Sequence, residues 1–367
     1  MSHIIFHYTL SCTENLVKER SESLLLEQTI ELSRKALFDT WVKEHIVGEI
    51  VKLEQIGDDM FSLSIAQPLR TTALDPAQLL NVAFGNSSLQ PDVTLELIEP
   101  PSELFGRMPG PQFGIDGLRT KLGVPHRALT CTALKPMGLS ADRMAQLAYD
   151  FAIAGLNMIK DDHGLADHEF CPFESRVEQC QKAVQKANTE TGGSTIYVPN
   201  LIGSPSTVYR QMAFAKQAGV GAVMISPLLV GPALLHELTS GKAGLPILAH
   251  PALGGGRIAP EALLGQIFKW FGADASIFPH QGGRFSYSRE TCRSLAARLR
   301  SQARGQRAAF PVPAGGIKTS RVREVLSFYG VETMLLVGGS LLESGDVVER
   351  ARDFVAEVAK VSRELTT

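Results

Sequence analysis

Residues 128–160 read ALTCTALKPMGLSADRMAQLAYDFAIAGLNMIK, and this stretch decides the fold. It begins with a short apolar segment, passes through a polar turn, and ends in a second apolar segment. Between them, apolar residues recur at three- and four-residue spacing in SADRMAQLAYDFAIAG, which predicts a helix with one buried face. The stretch is therefore a strand–helix–strand unit of the kind that builds a parallel sheet.

The same unit repeats along the chain as far as residue 337. The candidate strands are ALTCTAL (128–134), LNMIK (156–160), TIYVPNL (195–201), GAVMIS (221–226), LPILAH (245–250), ASIFPH (275–280), AAFPVPA (308–314) and TMLLV (333–337). A doubly wound open sheet also alternates strands and helices, but it does not normally need so many evenly spaced units. The pattern predicts a (β/α)8 TIM barrel over residues 121–367.

The segment before the barrel, residues 1–120, has a different pattern. Its β-rich pieces are HIIFHYTL, GEIVKLEQIG, MFSLSIAQ and VTLELIEPP, and they surround the helix-like segments ENLVKERSESLLLEQT and DPAQLLNVAFG. This mixture predicts a smaller α+β domain with an antiparallel sheet and helices. The glycine- and proline-rich stretch at 104–124 predicts a connecting loop without a helix.

Composition excludes several classes of partner. The 367 residues carry a formal net charge of −2, which gives no reason to expect a nucleic acid or an anionic membrane as partner. No apolar run approaches the roughly 20 residues that span a bilayer, and the N-terminus shows no basic leader. The five scattered cysteines lack the spacing of a disulfide framework or a zinc site. A cytoplasmic protein with free thiols is expected.

Polar side chains stand where the predicted strands end, and in a TIM barrel those ends meet at one rim. They are Lys135 after the first strand, Lys160-Asp161-Asp162-His163 at the end of the second, His250 after the fifth and His280 after the sixth. A single strand-end lysine is commonly a solvated or paired cation, and a single histidine is commonly structural. Their convergence at one rim indicates a catalytic site.

Glycine pairs follow the last two strands. Gly315-Gly316 and Gly338-Gly339 stand where barrels often bind phosphate through backbone N–H groups, and side chains there would block its approach. Arg257 and Arg284 are further candidates for phosphate contacts, without a predicted position. At the second strand end, carboxylates and an imidazole suit a divalent cation, but an ammonium at Lys160 would repel it. That lysine would first have to become an anion.

Two segments carry a family resemblance: GPQFGIDGLRTKLGVPHRALTCTALKPMGLS (110–140) and GLNMIKDDHGLADHEFCPFESRVEQ (155–179). They resemble the RuBisCO superfamily, specifically its RuBisCO-like, non-carboxylating branch, and the similarity runs over nearly the whole chain. The resemblance implies Mg²⁺ bound by a CO2-carbamylated lysine, an aspartate and a glutamate. The matching positions are Lys160, Asp162 and His163. The histidine departs from the family's glutamate, removes one negative charge and changes the metal preference.

Other site residues are also implied by the resemblance. Lys135 matches a lysine used near the enolisation step, and we expect it to act as the base if its surroundings favour the neutral amine. His250 and His280 are expected to contact hydroxyls or relay a proton. Glu27 and Asn86 match small-domain residues that approach the substrate in a neighbouring subunit's barrel. The resemblance therefore implies a homodimer with shared active sites.

Departures from the carboxylases narrow the expected activity. Met137 stands where carboxylases have a second lysine, and GGRFSYS (282–288) lacks the lysine of their sixth loop. Pro251 replaces an arginine for one substrate phosphate, and Ala314 replaces a serine. We expect Mg²⁺-assisted enolisation or isomerisation of a phosphorylated ketose, such as 5-methylthioribulose 1-phosphate in sulfur salvage, and not carbon fixation. A decarboxylase of a phosphorylated oxo-sugar acid, a methionine-salvage diketo-phosphate enolase, and a non-catalytic scaffold or sensor remain as alternatives.

Overall fold

Residues 2–283, 285–302, 305–343 and 346–366 are described by a computed structural model, in which an antiparallel sheet precedes a parallel barrel. The first sheet has the order β2-β3-β1-β4, and every pair in it is antiparallel. Its strands are β1 (His3–Ser11), β2 (Glu49–Gly57), β3 (Met60–Pro68) and β4 (Val93–Glu99). The helices α1 (Val17–Thr29), α2 (Thr40–His45) and α3 (Pro76–Phe84) accompany them. The predicted α+β domain is confirmed.

The barrel alternates strand segments with helices. Its strands are β5 (Leu129–Leu134), β6 (Met158–Asp161), β7 (Ile196–Val198), β8 (Asn200–Leu201), β9 (Val223–Ile225), β10 (Ile247–Ala249), β11 (Ala275–Pro279), β12 (Phe310–Ala314) and β13 (Met334–Val337). The helices are α4 (Ser102–Phe105), α5 (Gly114–Leu122), α6 (Ala141–Ile153), α7 (Phe173–Thr191), α8 (Pro205–Ala218), α9 (Pro227–Val230), α10 (Pro232–Ser240), α11 (Pro260–Ala262), α12 (Phe268–Trp270), α13 (Arg289–Arg300), α14 (Val322–Tyr329) and α15 (Val347–Thr366). A π-helical segment, Leu263–Ile267, joins α11 to α12.

The barrel closes through one interrupted strand. Segments β7 and β8 are separated only by Pro199, which has no N–H to donate to a neighbouring strand. β7 pairs with β6 and β8 pairs with β9, both in parallel, so one stretch of chain joins the two ends of the sheet. The nine segments therefore occupy eight positions around a closed ring, and the predicted (β/α)8 barrel is confirmed.

The connection between the sheets is helical in part, so the prediction of a loop without a helix is wrong. Helix α5 lies within the glycine- and proline-rich stretch. Its residues Ile115, Leu118 and Leu122 fall on one helical face and pack into the cluster of apolar side chains inside the barrel. Burial of that face outweighs the low helix propensity of two glycines. Because α5 crosses residue 120, the exact domain boundary stays a prediction.

Asp274 attaches this connection to the barrel. Its Oδ1 accepts hydrogen bonds from the backbone N–H groups of Phe113 at 2.6 Å and Gly114 at 2.7 Å, and its Oδ2 accepts one from Ile247 at 2.9 Å. Burial raises the pKa of Asp274 to about 6, while these N–H groups act in the opposite direction.

None of the helices in the described part of the chain has the length and apolar character needed to cross a lipid bilayer.

Candidate active site

The carboxyl ends of β5, β6, β10 and β11 bring the predicted catalytic side chains to one rim of the barrel. β5 pairs with β6 so that Leu134 lies opposite Asp161, which places the residues after both strands side by side. Direct contacts join Lys135 to Asp162, Asp162 to His163, and His163 to His250.

Asp162 lies at the centre of this group. Its Oδ1 is 2.8 Å from Nζ of Lys135 and 3.5 Å from Nδ1 of His163. Burial raises the pKa of this carboxyl, but hydrogen bonds from His163 and Lys135 more than offset it and hold the pKa well below its usual range. Asp162 is therefore an anion at every physiological pH. The Lys135 side chain remains 39% exposed at the barrel mouth, where a substrate can reach it.

Lys160 is buried beneath this pair. Its Nζ donates a hydrogen bond to the backbone oxygen of Asp161 at 2.9 Å, and only 2% of the residue is exposed. Burial lowers the pKa of the Lys160 ammonium, with a smaller contribution in the same direction from Lys135. Burial therefore makes the ammonium of Lys160 less favourable than that of a solvated lysine, while the charge of Asp162 acts in the opposite direction. The neutral amine is the form of a lysine that adds CO2.

Asp161 belongs to the barrel wall and not to the site. It accepts hydrogen bonds from Nε of Arg176 at 3.0 Å, the hydroxyl of Tyr197 at 2.7 Å and the backbone N–H of Asn200 at 3.1 Å. The Asp161 and Arg176 side chains are both fully buried. Successive residues of a strand face opposite sides of the sheet. Lys160 and Asp162, on either side of Asp161 in the chain, therefore face the barrel mouth, and Asp161 faces outward. Sequence reasoning did not identify Arg176.

Burial favours the neutral imidazole at His250 and His280. The ring of His250 stacks on that of His163 with centroids 4.2 Å apart, and its Nδ1 accepts a hydrogen bond from the backbone N–H of Ala252 at 3.2 Å. Burial lowers the pKa of His250 well below its usual range. Burial likewise lowers the pKa of His280 to about 4. Nε2 of His280 is buried and has no hydrogen-bond partner among the described residues. Imidazoles with lowered pKa values are better suited to hydrogen bonds with substrate hydroxyls than to carrying a second proton.

Three of the four glycines leave room at the ends of β12 and β13, and the fourth, Gly316, lies against the backbone of Gly283. Gly315 and Gly316 adopt positive φ angles of 88° and 74°, which favour glycine. A methyl group added at Gly315, Gly338 or Gly339 would meet no atom within 4 Å, so the backbone borders open space. Arg257 donates to the backbone oxygen of Pro91 and thereby ties the barrel to the first domain. Arg284 lies outside the described residues.

Glu27 and Asn86 form a separate feature within one chain. Nδ2 of Asn86 donates to Oε1 of Glu27 at 3.0 Å. Both line a cleft of about 240 Å³ whose lining residues all come from the first domain, between positions 27 and 86. The structure therefore groups these two predicted residues with each other and not with the rim of their own barrel.

The donor groups at this rim meet the needs of a divalent cation only in part. No three histidine, cysteine, aspartate or glutamate side chains in the described ranges are close enough to hold a metal. Asp162 and His163 supply two donors at 3.5 Å from each other. Lys160 becomes the third only when its amine carries a carboxylate. The residues fit a divalent cation on that condition, and the depressed pKa of Lys160 favours it.

Comparison with known proteins identifies a family model and relatives that match this chain. Residues 114–253 match the family model of the ribulose bisphosphate carboxylase large chain, catalytic domain. Ribulose bisphosphate carboxylase-like protein 1 of Rhodopseudomonas palustris is 44% identical over 97% of this chain and 97% of its own length. A 5-methylthioribulose-1-phosphate isomerase of Rhodospirillum rubrum is 41% identical over 96% of this chain and 95% of its own.

More distant and structural relatives agree. A 2,3-diketo-5-methylthiopentyl-1-phosphate enolase of Geobacillus kaustophilus is 30% identical over 93% of this chain and 88% of its own length. The crystal structure of a Rubisco-like protein from Rhodopseudomonas palustris superimposes with a TM-score of 0.93 at 39% identity, covering 98% of each chain. The similarity therefore extends over both domains.

Proposed function

This chain belongs to the ribulose bisphosphate carboxylase large-chain family, among its RuBisCO-like members, and from that premise we propose that it is a phosphosugar isomerase. The proposed reaction is the metal-assisted enolisation and isomerisation of a phosphorylated ketose such as 5-methylthioribulose 1-phosphate. The observation that carries the proposal is the contact of 2.8 Å between Nζ of Lys135 and Oδ1 of Asp162 at the barrel mouth. It joins a candidate base to a candidate metal ligand.

Lys160 as its carbamate, Asp162 and His163 would hold Mg²⁺. When bound, the cation would polarise the substrate carbonyl and stabilise the negative charge that develops on its oxygen. The chain's own contribution begins with Lys135, whose ammonium would part from Asp162 and lose its proton to solvent before the free amine removes the proton beside the carbonyl.

The remaining rim residues bind and orient the substrate in this proposal. His250 and His280 donate or accept hydrogen bonds with substrate hydroxyls, and a hydroxyl that reaches below the rim would give the buried Nε2 of His280 a partner. The backbone N–H groups at Gly315-Gly316 and Gly338-Gly339 bind the phosphate, because no side chain blocks the approach of an anion.

A homodimer would complete the site. Glu27 and Asn86 lie in a cleft of the first domain instead of at the rim of their own barrel. We place them at the mouth of a partner's barrel, where the carboxylate and the amide would contact the bound substrate.

The five cysteines are free thiols, which fits the reducing cytoplasm that we propose as the protein's location.

The second candidate activity is the methionine-salvage enolase reaction. It is favoured by the relative of that name that is 30% identical, and it starts from the same proton abstraction. A decarboxylase of a phosphorylated oxo-sugar acid and a non-catalytic sensor are further alternatives with less support. A sensor would have no use for the buried Lys160 beside the Lys135–Asp162 pair.

Proton and phosphorus NMR of the purified protein tests the proposal. The protein is mixed with 5-methylthioribulose 1-phosphate, Mg²⁺ and bicarbonate in D2O. We expect new phosphosugar signals and deuterium incorporation at the carbon beside the carbonyl. Unchanged spectra would exclude this substrate, and the same experiment with the diketo phosphate would then test the enolase reaction.

Exchanging His163 for glutamate is expected to strengthen Mg²⁺ binding by about tenfold or more, because it adds an anionic oxygen ligand beside Asp162. Isothermal titration calorimetry with Mg²⁺ in bicarbonate buffer measures the change. His126→Glu is the matched control, since it makes the same substitution at an exposed position before β5. Identical titrations of wild type and His163→Glu would show that His163 is not a ligand.

A further inference from the structure

We infer that Met137 contacts the apolar tail of the substrate and selects a sugar phosphate that carries a thioether or alkyl group there. A hydroxyl or a second phosphate at the same place is disfavoured. The inference rests on the proposed function and specifies the substrate class of that same site.

The side chain of Met137 reaches the candidate catalytic pair. It follows Lys135 by two residues on the loop after β5 and is 51% exposed. A methyl group added at Gly164 would stand 2.9 Å from Cε of Met137 and 3.7 Å from Oδ2 of Asp162. The thioether methyl and the carboxylate therefore flank the same point. A substrate that enters the mouth beside Lys135 and Asp162 would meet Met137 with its neighbouring substituent.

The loop after β6 adds a second apolar group. Phe170 is 45% exposed, and its ring stacks on His168 with centroids 4.7 Å apart. The ring of His168 is hydrogen-bonded in turn to the backbone oxygen of Gly164 at 3.1 Å. Gly164, which Met137 covers, is thus hydrogen-bonded to His168, and His168 lies two residues before Phe170 on the same loop. Met137 and Phe170 are both exposed, and their loops are joined through Gly164.

Charge at this position opposes a second phosphate. Lys135 is already paired with Asp162, and Nζ of Lys160 donates to the backbone beneath the rim. A phosphate against Met137 would lose water to an apolar side chain and face the anionic carboxylate of Asp162. A methylthio group would instead gain burial and dispersion contacts with a flexible, polarisable thioether. Discrimination by one such apolar contact amounts to about 10- to 200-fold.

The first test compares kcat/KM for four ketose 1-phosphates that differ only at the fifth carbon, which carries methylthio, hydrogen, hydroxyl or phosphate. Wild type is expected to prefer methylthio over hydroxyl by about tenfold or more. Met137→Gln should reduce that ratio about tenfold, mainly through KM, and Met137→Leu should retain the preference. Met60→Gln, at an exposed methionine of β3, is the control in which the ratio stays that of wild type.

The second test detects the contact without turnover. In protein labelled with ¹³C at the methionine methyl groups, the signal missing from Met137→Leu identifies Met137. That signal should shift on addition of 5-methylthioribulose 1-phosphate and show a nuclear Overhauser effect to the S-methyl group. If wild type turns over the sugars but the Met137 signal stays fixed and Met137→Gln keeps the ratio, the inference alone is overturned. If wild type neither binds nor converts any of the four, the proposed function fails and the inference falls with it.

Discussion

Lys135→Ala is expected to lower kcat for the phosphorylated ketose by about 10²- to 10⁴-fold, the range that a positioned general base contributes. The lysine is the amine at the barrel mouth that contacts Asp162, and alanine leaves no group there to accept the proton. The free energy of unfolding should change by no more than about 1 kcal/mol, because the lost ion pair is partly exposed. Steady-state kinetics and urea unfolding of the same preparation measure both quantities.

Controls separate the chemistry of this lysine from its charge. Lys182→Ala removes an equally long cation from the exposed face of α7 and should leave kcat unchanged. Lys135→Arg keeps the ion pair with Asp162 but offers no neutral amine, so it should be nearly as inactive as the alanine variant. Small primary amines added to Lys135→Ala should restore part of the activity. An alanine variant that retains more than a tenth of wild-type kcat would remove Lys135 as the base.

The barrel was predictable because each of its units repeats a local signal. The apolar runs of β5 and β6 and the amphipathic pattern of α6 need no distant contact to be identified. The rim residues followed from the same argument, since the carboxyl ends of parallel strands meet at one edge. Lys135, Asp162, His163 and His250 are indeed in contact there.

Features that depend on distant partners were not predictable in the same way. Helix α5 forms in a glycine-rich stretch because its apolar face fills the barrel interior, a contact that no local pattern contains. The opposite orientations of Asp161 and Asp162 follow from strand geometry, but the partner of Asp161 lies 15 residues away on α7. The pairing of Asn86 with Glu27 spans 59 residues. In each case the sequence contains the residues but not the contact.

Arg176→Met is expected to lower the free energy of unfolding by about 3–5 kcal/mol, because it leaves the buried carboxylate of Asp161 without its cation. The guanidinium also donates from Nη1 to the backbone oxygens of Ala166 at 3.1 Å and Cys171 at 2.8 Å. The same change therefore releases the loop that follows His163. Urea unfolding followed by circular dichroism measures the loss, and Arg143→Met on the exposed face of α6 should stay within about 0.5 kcal/mol of wild type.

The double variant Asp161→Asn/Arg176→Met decides whether the unpaired charge causes the loss. A neutral amide at position 161 can accept from the backbone N–H of Asn200 through its oxygen and donate from its NH2 to the hydroxyl of Tyr197, and no charge is left buried without a partner. The double variant should therefore unfold at a higher urea concentration than Arg176→Met alone, although one more residue differs from wild type. If it is as unstable as the single variant, the released backbone oxygens and not the carboxylate carry the cost. If Arg176→Met itself unfolds like wild type, the buried pair contributes nothing to the stability of the barrel wall behind the site.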